Sequence, residues 1–205
     1  MQRLRLLAGS WPGIQLVVLV GAGTIPTAAW IASGLRLLLT DDDYAGDLIG
    51  GAVTVRRAMD RVLWTRSPMA NFSARYARHA TTLHGVPVPA GVPILISHAA
   101  TGTDPALPSL GYDHRSHLAW SAGPHRCPAD SQAAVIAQTG IETLLDQLWN
   151  LDLTDAEVPN RPGPFHTCPA ALGIRFRPQP VDPPATGGPR DLHTADPRHH
   201  RHPPL

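Results

Sequence analysis

Cys127 stands in a setting that suits an anionic sulfur. His125 and Arg126 lie directly before it, and the apolar periodicity of residues 129–148 predicts a helix that starts soon after it. The unpaired N–H groups and the positive dipole end of a helix start stabilise a nearby thiolate. The thiolate is the form of cysteine that binds metals. A lone cysteine is more often a buried, inert thiol, but this spacing of cations and helix start favours a metal ligand.

Residues 117–127 follow a known pattern of loop residues around a cysteine. They resemble the signature Phe-x-x-Gly-x-His/Arg-x-Cys-x-Gly of cytochrome P450 proteins. Trp120 stands at the Phe position and Ala129 at the final Gly position, which are the two departures from this signature. The resemblance extends over residues 14–177 and corresponds to the C-terminal half of an ordinary member of the family.

The resemblance implies a haem-thiolate centre, with haem b (iron protoporphyrin IX) as the cofactor and Cys127 as the axial thiolate on its iron. Such a ligand pushes electron density toward bound oxygen and favours O–O cleavage. Gly123 would let the backbone approach the flat macrocycle. Arg75 and His125 match the propionate-binding positions of the family, and both side chains supply donors suited to carboxylates.

The apolar run at residues 14–39 is open to three interpretations. Residues 17–35 carry no charge and meet the length of a membrane span, although their glycines and Pro26 weaken the hydrophobic signal. A Gly-x-Gly at residues 21–23, followed by acids at residues 41–43, suggests the start of a dinucleotide-binding unit. Pro26 at the place of the third glycine argues against that unit. A long core helix is the third interpretation and the one we favour.

This third interpretation also follows the family resemblance, which implies a helix crossing the distal face of the haem with an Ala-Gly-x-x-Thr groove. Ala22 and Gly23 match the Ala-Gly pair, whose small size leaves space for oxygen. Ile25 and Pro26 occupy the positions of the acid and threonine that deliver protons in the family. Thr27 follows one residue late, and a kink at the proline would bring its hydroxyl inward. An isoleucine cannot relay a proton, so the distal machinery is altered.

Residues 54–64 predict a helix capped by Thr54. In the family this helix carries Glu-x-x-Arg, an ion pair that braces the proximal side, and here Arg61 and Trp64 stand at those two positions. Asp60 and Trp64 instead fit the acid-x-x-x-Trp version found in some bacterial members. A solvated Asp60 and a core Trp64 explain the same two residues equally well.

The rest of the chain predicts short strands and one further helix. Residues 71–100 alternate like strands, with a hairpin at 83–93 turning at Pro-Ala-Gly and a strand at 92–97. The helix at 129–148 has an apolar stripe that predicts core packing. The stripe comprises Ala133, Ile136, Ala137, Ile141, Leu144, Leu145 and Leu148. Residues 165–176 predict a terminal hairpin.

Composition places further limits on the molecule. The chain has 205 residues, a net charge of +1 and no lysine, so no nucleic-acid partner is expected. Two cysteines, Cys127 and Cys168, do not make a disulfide framework, and we expect a cytoplasmic protein for which a membrane association is not favoured. The expected organisation is a lead segment at 1–13, a haem-domain half at 14–177 and a disordered tail rich in Pro, His and Arg at 178–205.

The expected fold is mainly α with small β-hairpins. It is a partial cytochrome P450 fold with a long distal helix, a K-type helix, a small sheet, the cysteine loop and an L-type helix. The expected function is that of a monooxygenase, whole or truncated, that takes electrons from a ferredoxin or flavoprotein and inserts oxygen into a small organic substrate. The alternative is a catalytically inactive remnant or a non-enzymatic haem-binding module.

Overall fold

The computed structural model describes residues 12–106 and 116–178. Most of the predicted lead segment 1–13 and nearly all of the predicted tail 178–205 lie outside these residues. Residues 107–115, which lead to the cysteine loop in the sequence, also lie outside the described residues. The described part is mainly helical and carries small two-stranded antiparallel sheets, in agreement with the expected fold class.

The described residues form five α-helices and two short 3-10 turns. The helices are α1 (Pro12–Thr40), α2 (Asp42–Ile49), α3 (Val55–Thr65), α4 (His98–Thr103) and α5 (Asp130–Gln147). The 3-10 turns, Leu118–Trp120 and Gly123–His125, lie between α4 and α5 and make up most of the cysteine loop.

Six strands pair in three separate ladders. They are β1 (Asn71–Tyr76), β2 (Thr81–Leu83), β3 (Val86–Val88), β4 (Pro93–Ser97), β5 (Leu148–Leu153) and β6 (Ile174–Pro178). β1 pairs with β4, β2 with β3 and β5 with β6, all antiparallel. Each ladder has only two strands, so each depends on neighbouring elements for its stability.

Two of the strand predictions were wrong in their connections. The hairpin turns at His84 and Gly85, both of which have positive φ (44° and 80°), as a tight two-residue hairpin requires. The Pro-Ala-Gly turn at residues 89–91 instead leads into β4, which returns to β1. Residues 165–176 do not pair with each other as a hairpin, because β6 pairs back to β5, the strand that directly follows α5.

The apolar run predicted as a core helix forms the single helix α1, which continues through Pro26. Its second half is the centre of the core, where Trp30 and Leu37 are buried against α3 and α5. Gly34 permits the close crossing of α1 and α3, because a Cβ there would lie 2.7 Å from the sulfur of Met59. Its first half is different, since the side chains of residues 16–20 are each more than half exposed.

The helical conformation of α1 excludes the dinucleotide-binding interpretation. That interpretation needs a strand before the Gly-x-Gly, whereas residues 17–20 are helical. The acids at 41–43 instead lie at the start of α2. The Asp41 carboxylate caps this helix by accepting a hydrogen bond from the Tyr44 amide at 2.9 Å.

The segment Leu16–Thr40 is long and apolar enough to cross a membrane, judged by length and composition. The core helix of a soluble protein meets the same criteria. Packing of the second half of α1 against α3 and α5 accounts for the apolar character of that half.

The α3 helix begins as predicted, with Thr54 at the N-cap and its hydroxyl accepting from the Arg57 amide at 3.3 Å. The predicted stripe of α5 is partly wrong. Ala134, Ala137 and Ile141 are buried, but Ile136 is 56% exposed. The buried residues of α5 recur at a spacing of three and four, so they share one face of the helix, and Ile136 lies on the opposite side.

Candidate functional site at the cysteine loop

Cys127 lies between the second 3-10 turn and α5, two residues after His125 and two residues before the N-cap, Ala129. Its amide donates to the Trp120 carbonyl oxygen at 2.9 Å, which ties the last residue of the loop to the end of the first 3-10 turn. The thiol is free and half-buried. The backbone position of Cys127 is therefore fixed, and its side chain is not fully buried.

The start of α5 supplies backbone amides near this sulfur. Ala129, the N-cap, makes no side-chain capping bond. In the first turn, the Asp130 carboxylate pairs with Arg126 and accepts from the Ser131 amide at 2.8 Å. The hydrogen bond from Arg126 is the main reason that the pKa of Asp130 lies below its usual value. Arg126 thus offsets the negative charge that Asp130 places beside the helix start.

The loop backbone includes two residues with positive φ. Gly123 has φ 66°, a conformation that favours glycine, and open space surrounds the position that a Cβ would take. Ser121 has φ 60° and ψ −172°, a region that is nearly restricted to glycine. Backbone strain is thus stored in the turn that precedes Cys127.

Trp120, at the Phe position of the signature, anchors the loop to the core. Its ring meets that of Trp30 on α1 edge to face, with centroids 5.4 Å apart. The Trp30 indole also donates to the Met59 carbonyl oxygen of α3 at 2.8 Å. One buried side chain therefore joins α1, α3 and the cysteine loop.

His117 begins the loop and is only 7% exposed. Its imidazole meets Trp64 of α3 edge to face, with centroids 5.9 Å apart and ring planes at 87°. Burial lowers the pKa of His117, as do the charges of Arg126 and Arg56, while the carboxylate of Asp60 opposes them. Its Nδ1 makes no hydrogen bond within the part of the chain that the structure describes.

Asp60 is not the solvated acid that one interpretation of the sequence allowed. It is 3% exposed and forms an ion pair with Arg56, one turn earlier on α3, with Nε and Oδ1 3.4 Å apart. Arg61, at the glutamate position of the family motif, lies over the ring of Tyr44 and pairs with Asp47. Arg56 and Asp60 thus pair within α3, Arg61 pairs with α2, and the Trp64 ring contacts the loop.

The predicted oxygen groove lies in the middle of α1. Ala22, Gly23 and Ile25 are exposed, and Thr27 is buried. The Thr27 hydroxyl donates to the Gly23 carbonyl oxygen at 2.7 Å, so its proton is committed to its own helix. Pro26 has no amide hydrogen, so it cannot donate the helical hydrogen bond to the Ala22 carbonyl oxygen.

The two predicted propionate partners lie on different elements. Arg75 is half-buried on β1, and His125 is exposed in the second 3-10 turn. α4 packs against both β1 and the first 3-10 turn and connects the strand to the loop.

The sequence interpretation missed three residues that shape this site. They are His117, Trp30 and Ser121. The spacing of His117 and Trp120 within one short loop was a usable signal, but their partners come from separate helices. No local pattern marks Ser121 as strained.

No group of three or more His, Cys, Asp or Glu that could hold a metal ion occurs among the described residues. A metal at this site would depend on the sulfur of Cys127 and on the ligands that its own macrocycle provides. The loop offers one free thiol that directly follows Arg126 in the chain and comes just before a helix start, and this set of groups fits the thiolate side of a haem.

Comparison with known proteins agrees with the fold, although no protein-family model matches the chain. The chain is 28% identical over 145 residues to 2-hydroxy-5-methyl-1-naphthoate 7-hydroxylase of Streptomyces carzinostaticus, covering 67% of this chain and 35% of that protein. It is 27% identical over 181 residues to the cytochrome P450 monooxygenase PikC of Streptomyces venezuelae, covering 84% and 43%. The structure of CYP154A1 from Streptomyces coelicolor superposes with a TM-score of 0.70 at 25% identity, covering 78% and 43%.

A mainly helical fold with small sheets, matched over four-fifths of the chain in the structure of a bacterial P450, defines the class of protein. The chain belongs to the cytochrome P450 family and is similar to its bacterial members. It spans less than half the length of the relatives that it matches.

Proposed function

We propose that the chain provides the thiolate side of a haem site in a cytochrome P450-type monooxygenase, with Cys127 as the axial ligand. The observation that carries the proposal is the fixed position of Cys127. Its amide is bonded to the Trp120 carbonyl at 2.9 Å, its thiol is free, and α5 begins three residues later. This arrangement presents the sulfur and backbone amides together, as a thiolate ligand requires.

Haem b bound at this sulfur would supply the redox chemistry, in which one oxygen atom of O₂ enters a substrate and the other leaves as water with two electrons and two protons. Gly123 would leave room for the macrocycle, since open space surrounds the position of a Cβ there. The exposed imidazole of His125 and the guanidinium of Arg75 are the proposed propionate partners.

The distal residues favour a second candidate, a haem-binding module without oxygen activation. Ala22 and Gly23 are the proposed oxygen groove, and Thr27 follows the family's threonine position by one residue. The Thr27 proton is already donated to Gly23, and Ile25 cannot transfer one. Proton delivery therefore needs water or a group from outside the described residues, and the monooxygenase remains our first proposal because the relatives carry that activity in their names.

Partners and location follow from the family. We propose a ferredoxin or flavoprotein as the electron donor, a small organic molecule as the substrate and the cytoplasm as the compartment. The near-neutral net charge of +1 gives no support for nucleic acid as a partner.

A reduced carbon-monoxide spectrum of the haem-reconstituted full chain tests the proposal. The unmodified chain should give a strongly red-shifted Soret band, because a thiolate is the axial ligand. Cys127→Ala should abolish that band, and Cys168→Ala should keep it. Cys168 is the matched control, since it is also free and half-buried but lies outside the cysteine loop. A band that survives in Cys127→Ala would refute ligation by this sulfur.

Turnover separates the two candidate functions. The haem-loaded chain is supplied with a surrogate ferredoxin, its reductase and NADPH, and product formation from a panel of small apolar substrates is measured with oxygen uptake. Hydroxylated product indicates the monooxygenase. A thiolate band without product or substrate-dependent oxygen uptake indicates the haem-binding module.

A further inference from the structure

We propose that the imidazole of His117 is a positioning group for Cys127: its edge-to-face contact with Trp64 fixes the first 3-10 turn, whose last carbonyl receives the Cys127 amide. The inference extends the proposed function, since it assigns the support of the proposed haem ligand. It gives His117 and Trp64 the bracing task that an ion pair performs elsewhere in the family.

The first part of the argument is the burial of the ring pair. His117 is 7% exposed and directly precedes the first 3-10 turn, so a contact at this position controls where the loop begins. The ring centroids of His117 and Trp64 are 5.9 Å apart at 87°, within the range of a favourable aromatic pair. Nδ1 of His117 has no hydrogen-bond partner among the described residues, so no bond at that atom fixes the orientation of the ring, whereas the edge-to-face contact with Trp64 does.

The second part is the path from this ring pair to the sulfur. The turn Leu118–Trp120 follows His117 without an intervening residue. The Ser121 amide closes that turn on the Leu118 carbonyl at 2.7 Å, and the Trp120 carbonyl accepts from Cys127 at 2.9 Å. A shift of His117 therefore moves the acceptor that holds Cys127.

The third part is charge, which explains why a neutral pair suits this place. Arg56 and Asp60 of α3 face His117 together with Arg126 of the loop, and they sum to one net positive charge around the imidazole. A cation at position 117 would be repelled by both Arg56 and Arg126. Asp60 is already paired with Arg56. An uncharged aromatic contact joins helix and loop without adding to this imbalance.

The test uses the reaction of the Cys127 thiol in the full chain without haem, in a Cys168→Ser background where it is the single thiol, since the sequence has two cysteines. An aromatic disulfide reagent is attacked by the thiolate, a mixed disulfide forms and an aromatic thiolate leaves. The rate of its release reports how firmly the loop holds Cys127. Circular dichroism confirms that each variant is folded.

His117→Phe should react within about twofold of the parent rate, because it keeps the ring contact. His117→Gln should react roughly threefold to tenfold faster, because it loses that contact. His79→Gln, an exposed histidine on the same chain, should leave the rate unchanged. Trp64→Leu should itself raise the reaction rate of the Cys127 thiol. Adding His117→Gln to Trp64→Leu should raise that rate little further, because the two changes remove the same interaction.

The proposal is overturned if His117→Gln reacts at the parent rate, if His117→Phe reacts as fast as His117→Gln, or if the two changes multiply. Should His117→Gln fail to fold, Trp64→Leu carries the same test from the other ring. A raised rate in that variant supports the proposal, and an unchanged rate overturns it.

A second readout uses the haem-loaded chain. Haem transfer to an excess of apomyoglobin should be faster for His117→Gln and near the parent rate for His117→Phe. If the parent never gives the red-shifted carbon-monoxide band, the proposed haem function fails. The thiol rates then still decide the positioning proposal, because they need no haem.

Discussion

The indole of Trp30 meets the indole of Trp120 edge to face, with ring centroids 5.4 Å apart, and donates to the Met59 carbonyl oxygen at 2.8 Å. This residue thus joins the cysteine loop to two helices. Trp30→Phe should lower the free energy of unfolding by roughly 1–2 kcal/mol, because the hydrogen bond and part of the ring are lost. Urea unfolding measures the change.

Trp120→Phe is the matched variant for this prediction. Trp120 is half-buried and has Phe as the usual family residue, so the loss should be about 1 kcal/mol or less. A larger loss for Trp120→Phe than for Trp30→Phe would contradict the central position of Trp30.

Ser121 holds the loop in a backbone conformation that suits glycine, with φ 60° and ψ −172°. Ser121→Gly should therefore raise the free energy of unfolding by about 1 kcal/mol, since the relief of strain exceeds the added entropy of the unfolded chain. The midpoint of thermal unfolding should rise accordingly.

Ser131→Gly provides the control for Ser121→Gly. Ser131 lies in the first turn of α5, where glycine weakens the helix by roughly 0.5 kcal/mol. Equal effects at the two serines would mean that Ser121 is not strained.

The stability of the chain should fall as the pH drops below the ordinary histidine value of 6.5. Burial lowers the pKa of His117 in the folded state, so the unfolded state binds the proton first and unfolding is favoured. Above this pH both states are neutral and His117 contributes no slope. Chemical unfolding at a series of pH values from 5 to 8, a range chosen to bracket the titration of histidine, measures the effect.

His117→Phe should reduce this acid slope while keeping the ring contact. It should not remove the slope entirely, because burial also lowers the pKa of His98. An unchanged slope in His117→Phe would show that His117 is not buried as a neutral imidazole.

The exposed first half of α1 should govern self-association rather than stability. Val17 and Leu19 are 72% and 60% exposed, so the double variant Val17→Gln, Leu19→Gln should change the free energy of unfolding by less than about 0.5 kcal/mol. Sedimentation velocity should show less self-association, because the apolar patch is smaller.

Leu37→Gln is the buried counterpart on the same helix. It should cost roughly 2–5 kcal/mol, because a polar amide replaces a core side chain. If the exposed and buried changes cost the same, the packing described for α1 is incorrect.

The predictions from sequence were most accurate where the signal was local. The Thr54 cap, the long helix at 14–39 and the helix after Cys127 depend on residues within one or two turns, and the structure confirms all three. The family resemblance was also detectable, since the cysteine loop carries it in eleven consecutive residues.

The errors arose where one local signal had two meanings. Pro-Ala-Gly and His84-Gly85 both favour turns, and only the pairing of β4 with the distant β1 decides which one closes a hairpin. Ile136 falls at helical spacing within the predicted stripe, but the buried residues of α5 share another face and leave it uncovered. The His117–Trp64 and Trp30–Trp120 contacts join elements far apart in the chain, so no spacing rule could predict them.

Pro26 gives α1 a built-in point of mechanical weakness. The Ala22 carbonyl loses its helical partner there, and the Thr27 hydroxyl caps the Gly23 carbonyl beside it. The part of α1 after Pro26 packs in the core, whereas the side chains of residues 16–20 are largely exposed. Thermal motion in α1 should thus be divided at the proline, with an outer segment that frays independently while the inner segment opens only when the whole domain unfolds.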